Sequence, residues 1–156
     1  MIKCLVCDFG GSSLKYALID EQGNMEHSGK VSAPLDSIAH FVETVESLYK
    51  EHRAQIDGIA ISIPGYIDPE KGILVDAGAY EELYGQCIPE LLKEKCPVPI
   101  AVENDGKCAA LAEAWKGSLK DCSNGAVIVL GSGIAGGIIK DGKIHSGRGF
   151  AAGELS

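Results

Sequence analysis

Three short segments carry residue types that can do chemistry on a phosphate: Asp8-Phe9-Gly10-Gly11-Ser12-Ser13-Leu14-Lys15, Glu103-Asn104-Asp105 and Gly131-Ser132-Gly133-Ile134-Ala135-Gly136-Gly137. Each stands at the end of an apolar, strand-like run. In the first, Gly10 and Gly11 permit close backbone approach. Ser12 and Ser13 offer hydroxyl donors, and Lys15 adds positive charge. Asp8 is poorly suited to face a phosphate and better suited to hold Mg²⁺ through water. The third segment is another glycine turn, with Gly131, Ser132 and Gly133 at its head. The middle one puts a carboxylate where a strand gives way to a helix, the place where α/β proteins bind ligands. A carboxylate there can take a proton from an attacking hydroxyl, and a neighbouring amide can orient that hydroxyl. Two phosphate-holding turns with an acid between them make the inventory of a phosphoryl-transfer site. Each segment also has a plainer reading: a β-turn beside a solvated Asp8, a helix cap by Asn104 or Asp105, and a glycine bulge in a sheet. Their conjunction and order favour the chemical one.

The elements that must position these groups follow from periodicity. Residues 2–9 form a short apolar run that fits a buried strand. Residues 15–20 alternate and end in the turn cluster Asp20-Glu21-Gln22-Gly23-Asn24, and residues 25–31 return as a third strand. Ile38, Phe41, Val42, Val45, Leu48 and Tyr49 recur at helical spacing, predicting an amphipathic helix over 36–53. A strand over 56–63 is stopped by Pro64-Gly65. A short helix over 88–94 is closed by Pro97-Val98-Pro99. A strand over 100–103 leads into a small-residue helix over 106–115, with Gly117 as its C-terminal cap. The polar stretch 116–125 suggests a boundary, giving a first lobe over 1–118 and the beginning of a second, incomplete lobe over 119–156. That second part starts with strands over 126–130 and 134–139, and Lys140-Asp141-Gly142-Lys143 is a hairpin-turn signal. The expected class is therefore α/β: a five-stranded mixed sheet with helices, then the first hairpin of a second, similar lobe.

With 156 residues, 46% of them hydrophobic, the chain has an ordinary globular composition. The 14 basic and 22 acidic residues give a net charge of −8, which argues against nucleic-acid or anionic-membrane partners. An anionic ligand stays open, because backbone amides bind phosphate without net positive charge. No leader and no bilayer-length apolar run is apparent, so a cytoplasmic location with reduced cysteines is expected. Cys4 and Cys7 are three apart on a strand and so point to opposite faces. The six cysteines are expected to be buried free thiols rather than a metal site.

The four segments Asp8-Phe9-Gly10-Gly11-Ser12-Ser13-Leu14-Lys15, Ile63-Pro64-Gly65-Tyr66-Ile67-Asp68, Val102-Glu103-Asn104-Asp105-Gly106-Lys107-Cys108-Ala109-Ala110 and Gly131–Gly137, in that order and followed by Ala151-Ala152-Gly153-Glu154, resemble the ROK family of repressors, open reading frames and sugar kinases. The resemblance covers the whole chain. It implies an actin-like, RNase H-like ATPase fold with two lobes around a cleft. It implies an ATP-dependent sugar kinase using ATP and Mg²⁺, with Asp105 as general base on the sugar hydroxyl. Asn104, Glu103, Gly65 and Glu154 would bind the sugar. Asp8, Gly10, Gly11, Ser12, Ser13, Lys15, Gly131, Ser132 and Gly133 would serve the nucleotide, Asp8 through the metal. The family's zinc motif and adenine loop fall outside this chain.

Glucokinase-like members usually carry an Asn-Leu pair where this chain has Gly78-Ala79-Tyr80-Glu81-Glu82-Leu83-Tyr84, so the sugar is left open. Tyr66, Tyr80 and Tyr84 are candidates to line its pocket, although loop tyrosines more often pack with the hydroxyl solvated. The alternative function is a non-catalytic sugar-binding or regulatory protein of the same fold. The repressor branch is disfavoured, since its helix-turn-helix precedes a first strand that here begins at residue 2. Residues 1–156 alone are expected to be inactive or nearly so. A homo-oligomer is neither required nor excluded.

Overall fold

The computed structural model describes residues 1–131 and 133–155. The chain packs as two units, Met1–Val102 and Glu103–Ser156.

The first unit is built on β1 (Lys3–Phe9), β2 (Ser13–Asp20), β3 (Met25–Ser32), α1 (Ile38–His52), β4 (Gly58–Ile63), β5 (Tyr66–Asp68), β6 (Ile73–Asp76), α2 (Ile88–Leu92) and β7 (Ile100–Asn104), whose last two residues belong to the second unit. The main sheet has the order β3-β2-β1-β4-β7. β1 runs antiparallel to β2 and parallel to β4, so the sheet is mixed. Period-two alternation sends Leu5, Cys7 and Phe9 of β1 into the core, each at most 1% exposed. Helix α1 answers with Phe41, Val45 and Leu48 on one stripe. Ser37 Oγ accepts from His40 N at 3.1 Å and caps it, a device worth about 1 kcal/mol. The Phe9 and Phe41 rings lie 4.9 Å apart, and Phe9 meets Tyr80 edge-on at 5.7 Å. The C-terminal end of β1, which leads into the first glycine turn, is thereby clamped by the core.

In the second unit, α3 (Asp105–Lys116) is followed by β8 (Gly125–Leu130), β9 (Ile134–Lys140) and β10 (Lys143–Ile144), which pair antiparallel in the order β10-β9-β8. Asp141 and Gly142 both have positive φ, 52° and 74°, the backbone of a two-residue type I′ hairpin. Helix α3 lies close on β9, glycine meeting backbone or the small Ala110 side chain where they touch. A Cβ on Gly106 would stand 2.5 Å from Gly136 O, and one on Gly137 would stand 2.6 Å from Ala110 Cβ.

The five strands of the main sheet and all three helices lie within two residues of their expected bounds. The β5–β6 hairpin was not expected. Gly117 is the C-terminal cap of α3, as expected: its N–H donates to Glu113 O at 3.0 Å, with φ −106° rather than a left-handed conformation. All six cysteines are free. Only Cys7 and Cys96 are buried as expected; Cys4, Cys87 and Cys108 are half-buried, and Cys122 is exposed because it sits in the polar turn after α3 rather than in a core. No helix among the described residues is long and apolar enough to cross a membrane.

Candidate functional site

In the first unit, the turn between β1 and β2 is held by its carbonyls. Gly10 N donates to Ser13 O at 2.9 Å and Ala33 N donates to Ser12 O at 3.3 Å. The Tyr80 hydroxyl donates to Gly10 O at 2.8 Å. A Cβ built on Gly11 meets nothing within 4 Å, so the space before this residue is open. Ser12 is exposed, while Ser13 is 9% exposed as the first residue of β2. Of the two hydroxyls, that of Ser12 is the more accessible to a ligand. Lys15 is exposed and stands opposite Asp8 in the β1–β2 register.

Asp8 is exposed, and its Oδ1 accepts from Ser62 Oγ at 2.8 Å. Ser62 is the residue paired with Asp8 across the parallel β1–β4 ladder. An exposed carboxylate oriented by a buried hydroxyl fits a hard cation held through water. Gly65 has φ +105°, and a Cβ there would fall 2.0 Å from Asp76 O. Only glycine lets the Pro64-Gly65 turn lie against residues 76–77.

Tyr80 is 1% exposed, so its hydroxyl is not solvated as expected for a loop tyrosine. Burial first, and then the Asp8 charge, push its phenol well above the ordinary value. It therefore stays a hydrogen-bond donor to the turn. Tyr80→Phe is expected to cost about 1 kcal/mol of stability, the net worth of one such bond. A thermal melt measures it, and an unchanged melting temperature would show that the Tyr80 hydroxyl does not hold the turn.

In the second unit, β7 runs directly into α3 through Glu103, Asn104 and Asp105. Asn104 is fully buried, and its Oδ1 accepts from Lys107 N at 3.0 Å, so Asn104 is the cap. Asp105 begins the helix. Its Oδ1 accepts from Gly106 N at 2.8 Å and from Asn104 Nδ2 at 3.1 Å. A carboxylate is favoured there by the helix dipole. Glu103 Oε1 accepts from Asn104 N at 2.7 Å. Burial raises the Glu103 carboxyl, opposed by that N–H and by the Lys107 charge. Burial also raises the Glu154 carboxyl. Lys107 opposes the rise, and Asp105 and Glu103 reinforce it. Glu154 Oε1 is buried with no hydrogen-bond partner. A buried acceptor without a donor is costly, and a ligand hydroxyl would supply one.

The glycines between β8 and β9 divide into two roles. Gly131 N donates to Gly133 O at 2.9 Å, and a Cβ on Gly133 would meet nothing within 4 Å. These two shape an open turn. Gly136 and Gly137 instead let α3 and residue 153 approach β9 closely. Ser132 lies outside the described residues.

The mixed sheet with a glycine turn after its first strand, a carboxylate segment after β7 and a second glycine turn after β8 belongs to the actin-like, RNase H-like ATPase class. Within that class the chain belongs to the ROK family, which its residues 4–156 match. It is 32% identical over 151 residues to the N-acetyl-D-glucosamine kinase of Vibrio cholerae, covering 95% of this chain and 50% of that protein. It is 31% identical over 154 residues to the beta-glucoside kinase of Klebsiella pneumoniae, covering 99% and 52%. Among solved structures, the Lmo2764 protein of Listeria monocytogenes, a candidate N-acetylmannosamine kinase, superposes with a TM-score of 0.90 at 30% identity, covering 98% of this chain and 52% of that one. The chain thus spans about half the length of the relatives it matches.

Two residues at these sites, Ser62 and Lys107, and the bond made by a third, Tyr80, escape a reading of the motifs alone. Ser62 could have been found as a hydroxyl inside the apolar run Ile59-Ala60-Ile61-Ser62-Ile63. Lys107 could have been suspected as a lysine one turn past Asn104 in an otherwise small-residue helix. The Tyr80 bond to Gly10 spans 70 residues and leaves no local signal.

Proposed function

We propose that the whole protein is an ATP-dependent sugar kinase, transferring the γ-phosphate of ATP to a hydroxyl of a hexose or amino sugar. The observation that carries the reading is the division of work at the head of α3. Asn104 does the capping, so the adjacent Asp105 carboxylate is not needed for it and can serve as general base. Asn104, Glu103 and Glu154 would hold sugar hydroxyls. The turn at Gly65 would contribute backbone to the same ligand. The open turn at Gly10-Gly11-Ser12-Ser13, together with Gly131, Ser132 and Gly133, would hold phosphates, with Lys15 adding charge. Asp8 would hold Mg²⁺ through water. That ion would neutralise charge on the phosphates.

Membership in a family with these sugar-kinase relatives supports the reaction class. In this reading the lobes of the whole protein divide near residues 118/119, and the protein acts in the cytoplasm on a small molecule. The test is an ADP-release assay on the whole protein with a panel of hexoses and amino sugars, N-acetylated ones included. Turnover with at least one sugar in the ordinary enzyme range, about 1–10³ s⁻¹, is expected. Sugar binding by calorimetry without turnover on any member would replace the kinase with a sugar-binding regulator.

A further inference from the structure

The least expected group near Asp105 is Lys107. Its side chain is 0% exposed, and a lysine tolerates full burial only when its ammonium is paired or hydrogen-bonded. Its Nζ donates to Phe150 O at 2.5 Å, and its backbone N–H is the one received by the Asn104 cap. Phe150 has φ +63°, a conformation that an aromatic residue holds only when its surroundings fix it. Four residues further on, Glu154 keeps a buried carboxylate oxygen with no donor. Lys107 therefore joins the helix that begins with Asp105 to the loop that ends with Glu154.

We propose that Lys107 is a positioning residue of the sugar site: its buried ammonium, held on Phe150 O, seats residues 150–154 so that the unpartnered Glu154 oxygen is offered to a sugar hydroxyl. This rests on the sugar-kinase reading. Among the described residues, the charged groups that bear on Glu154 are Lys107, Asp105 and Glu103. Two of them are anionic, so Lys107 is the only cation of the three. Its charge favours the ionised carboxylate, the form that accepts from a hydroxyl.

The test uses the whole protein with Lys107→Met, which keeps an unbranched apolar stem and removes the ammonium. KM for the accepted sugar is expected to rise about tenfold to a hundredfold, with a smaller fall in kcat and no change in KM for ATP. The low-pH limb of kcat/KM for the sugar is expected to move to higher pH. The sign follows from the group involved: without the cation the Glu154 carboxyl titrates higher, so its ionised form is lost earlier on acidification. Carboxyl-carbon NMR of Glu154 reads the same shift without any need for turnover. A folded Lys107→Met protein with unchanged sugar KM and unchanged Glu154 titration would overturn the proposal. Lys107→Gln provides a second neutral variant, and loss of folding in both would also overturn it, making Lys107 a structural residue. A wild-type protein that phosphorylates no sugar would sink the kinase reading instead, while the Glu154 titration would still decide the part played by Lys107.

Discussion

Asp105→Asn in the whole protein is expected to reduce sugar phosphorylation by about 10²–10⁴-fold, the usual cost of losing a general base, with little change in melting temperature. The structure makes this substitution clean. The cap of α3 is Asn104, whose Oδ1 receives Lys107 N, so the helix start survives a change at the next residue. Asparagine has the same shape as aspartate, and its amide oxygen can still accept from Gly106 N as Asp105 Oδ1 does at 2.8 Å. The change removes the charge and the ability to take a proton. Steady-state kinetics beside a thermal melt make the measurement. Near-normal turnover would reduce Asp105 to a helix-dipole residue worth a few tenths of a kcal/mol to about 1 kcal/mol. A large loss of stability would mean that the carboxylate supports the fold rather than the reaction.

The parts of the fold that were legible in the sequence are those governed by local periodicity and turn chemistry. The alternation of Leu5, Cys7 and Phe9, the stripe of Phe41, Val45 and Leu48, and the Asp141-Gly142 hairpin each follow from a single physical rule. The β5–β6 hairpin was not legible. Tyr66–Asp68 is three residues long and follows Pro64-Gly65, too short for alternation to be told from a loop. It exists because Gly65 lets the chain turn back against Asp76. Glycine usage gives the same lesson at the candidate site. From residue types alone, four glycines in Gly131–Gly137 pointed to one phosphate turn. Two of them prove to be points of close contact for α3 and residue 153. Helix and strand pack closely enough there for a lysine to be enclosed, and no local pattern in Gly106-Lys107-Cys108-Ala109-Ala110 announces that burial. The long-range bonds of Tyr80 and Ser62 have the same character: each joins positions more than fifty residues apart.

Gly11→Val is expected to weaken nucleotide binding sharply while leaving the fold unchanged. The glycine turn after β1 is fixed through its carbonyls, which accept from Gly10 N, Ala33 N and the Tyr80 hydroxyl. None of those bonds involves the Gly11 side-chain position. A Cβ there meets no protein atom within 4 Å, and the residue is not among the glycines with positive φ. The Cβ of a side chain there therefore has room in the protein alone, and the harm expected of valine falls on a ligand that approaches the turn. If that ligand is a phosphate, valine occupies its place and also screens the neighbouring backbone amides. The expected loss in nucleotide affinity is about tenfold or more, the worth of one charge-assisted hydrogen bond. Sugar affinity should change little, because the carboxylates and the amide assigned to the sugar lie on β7, α3 and the loop to Glu154. Calorimetry with a non-hydrolysable ATP analogue and with sugar, beside a thermal melt, measures the three quantities together. Unchanged nucleotide affinity would remove the first turn from the phosphate site, and a fall in melting temperature with every affinity reduced would show that the space before Gly11 serves the fold.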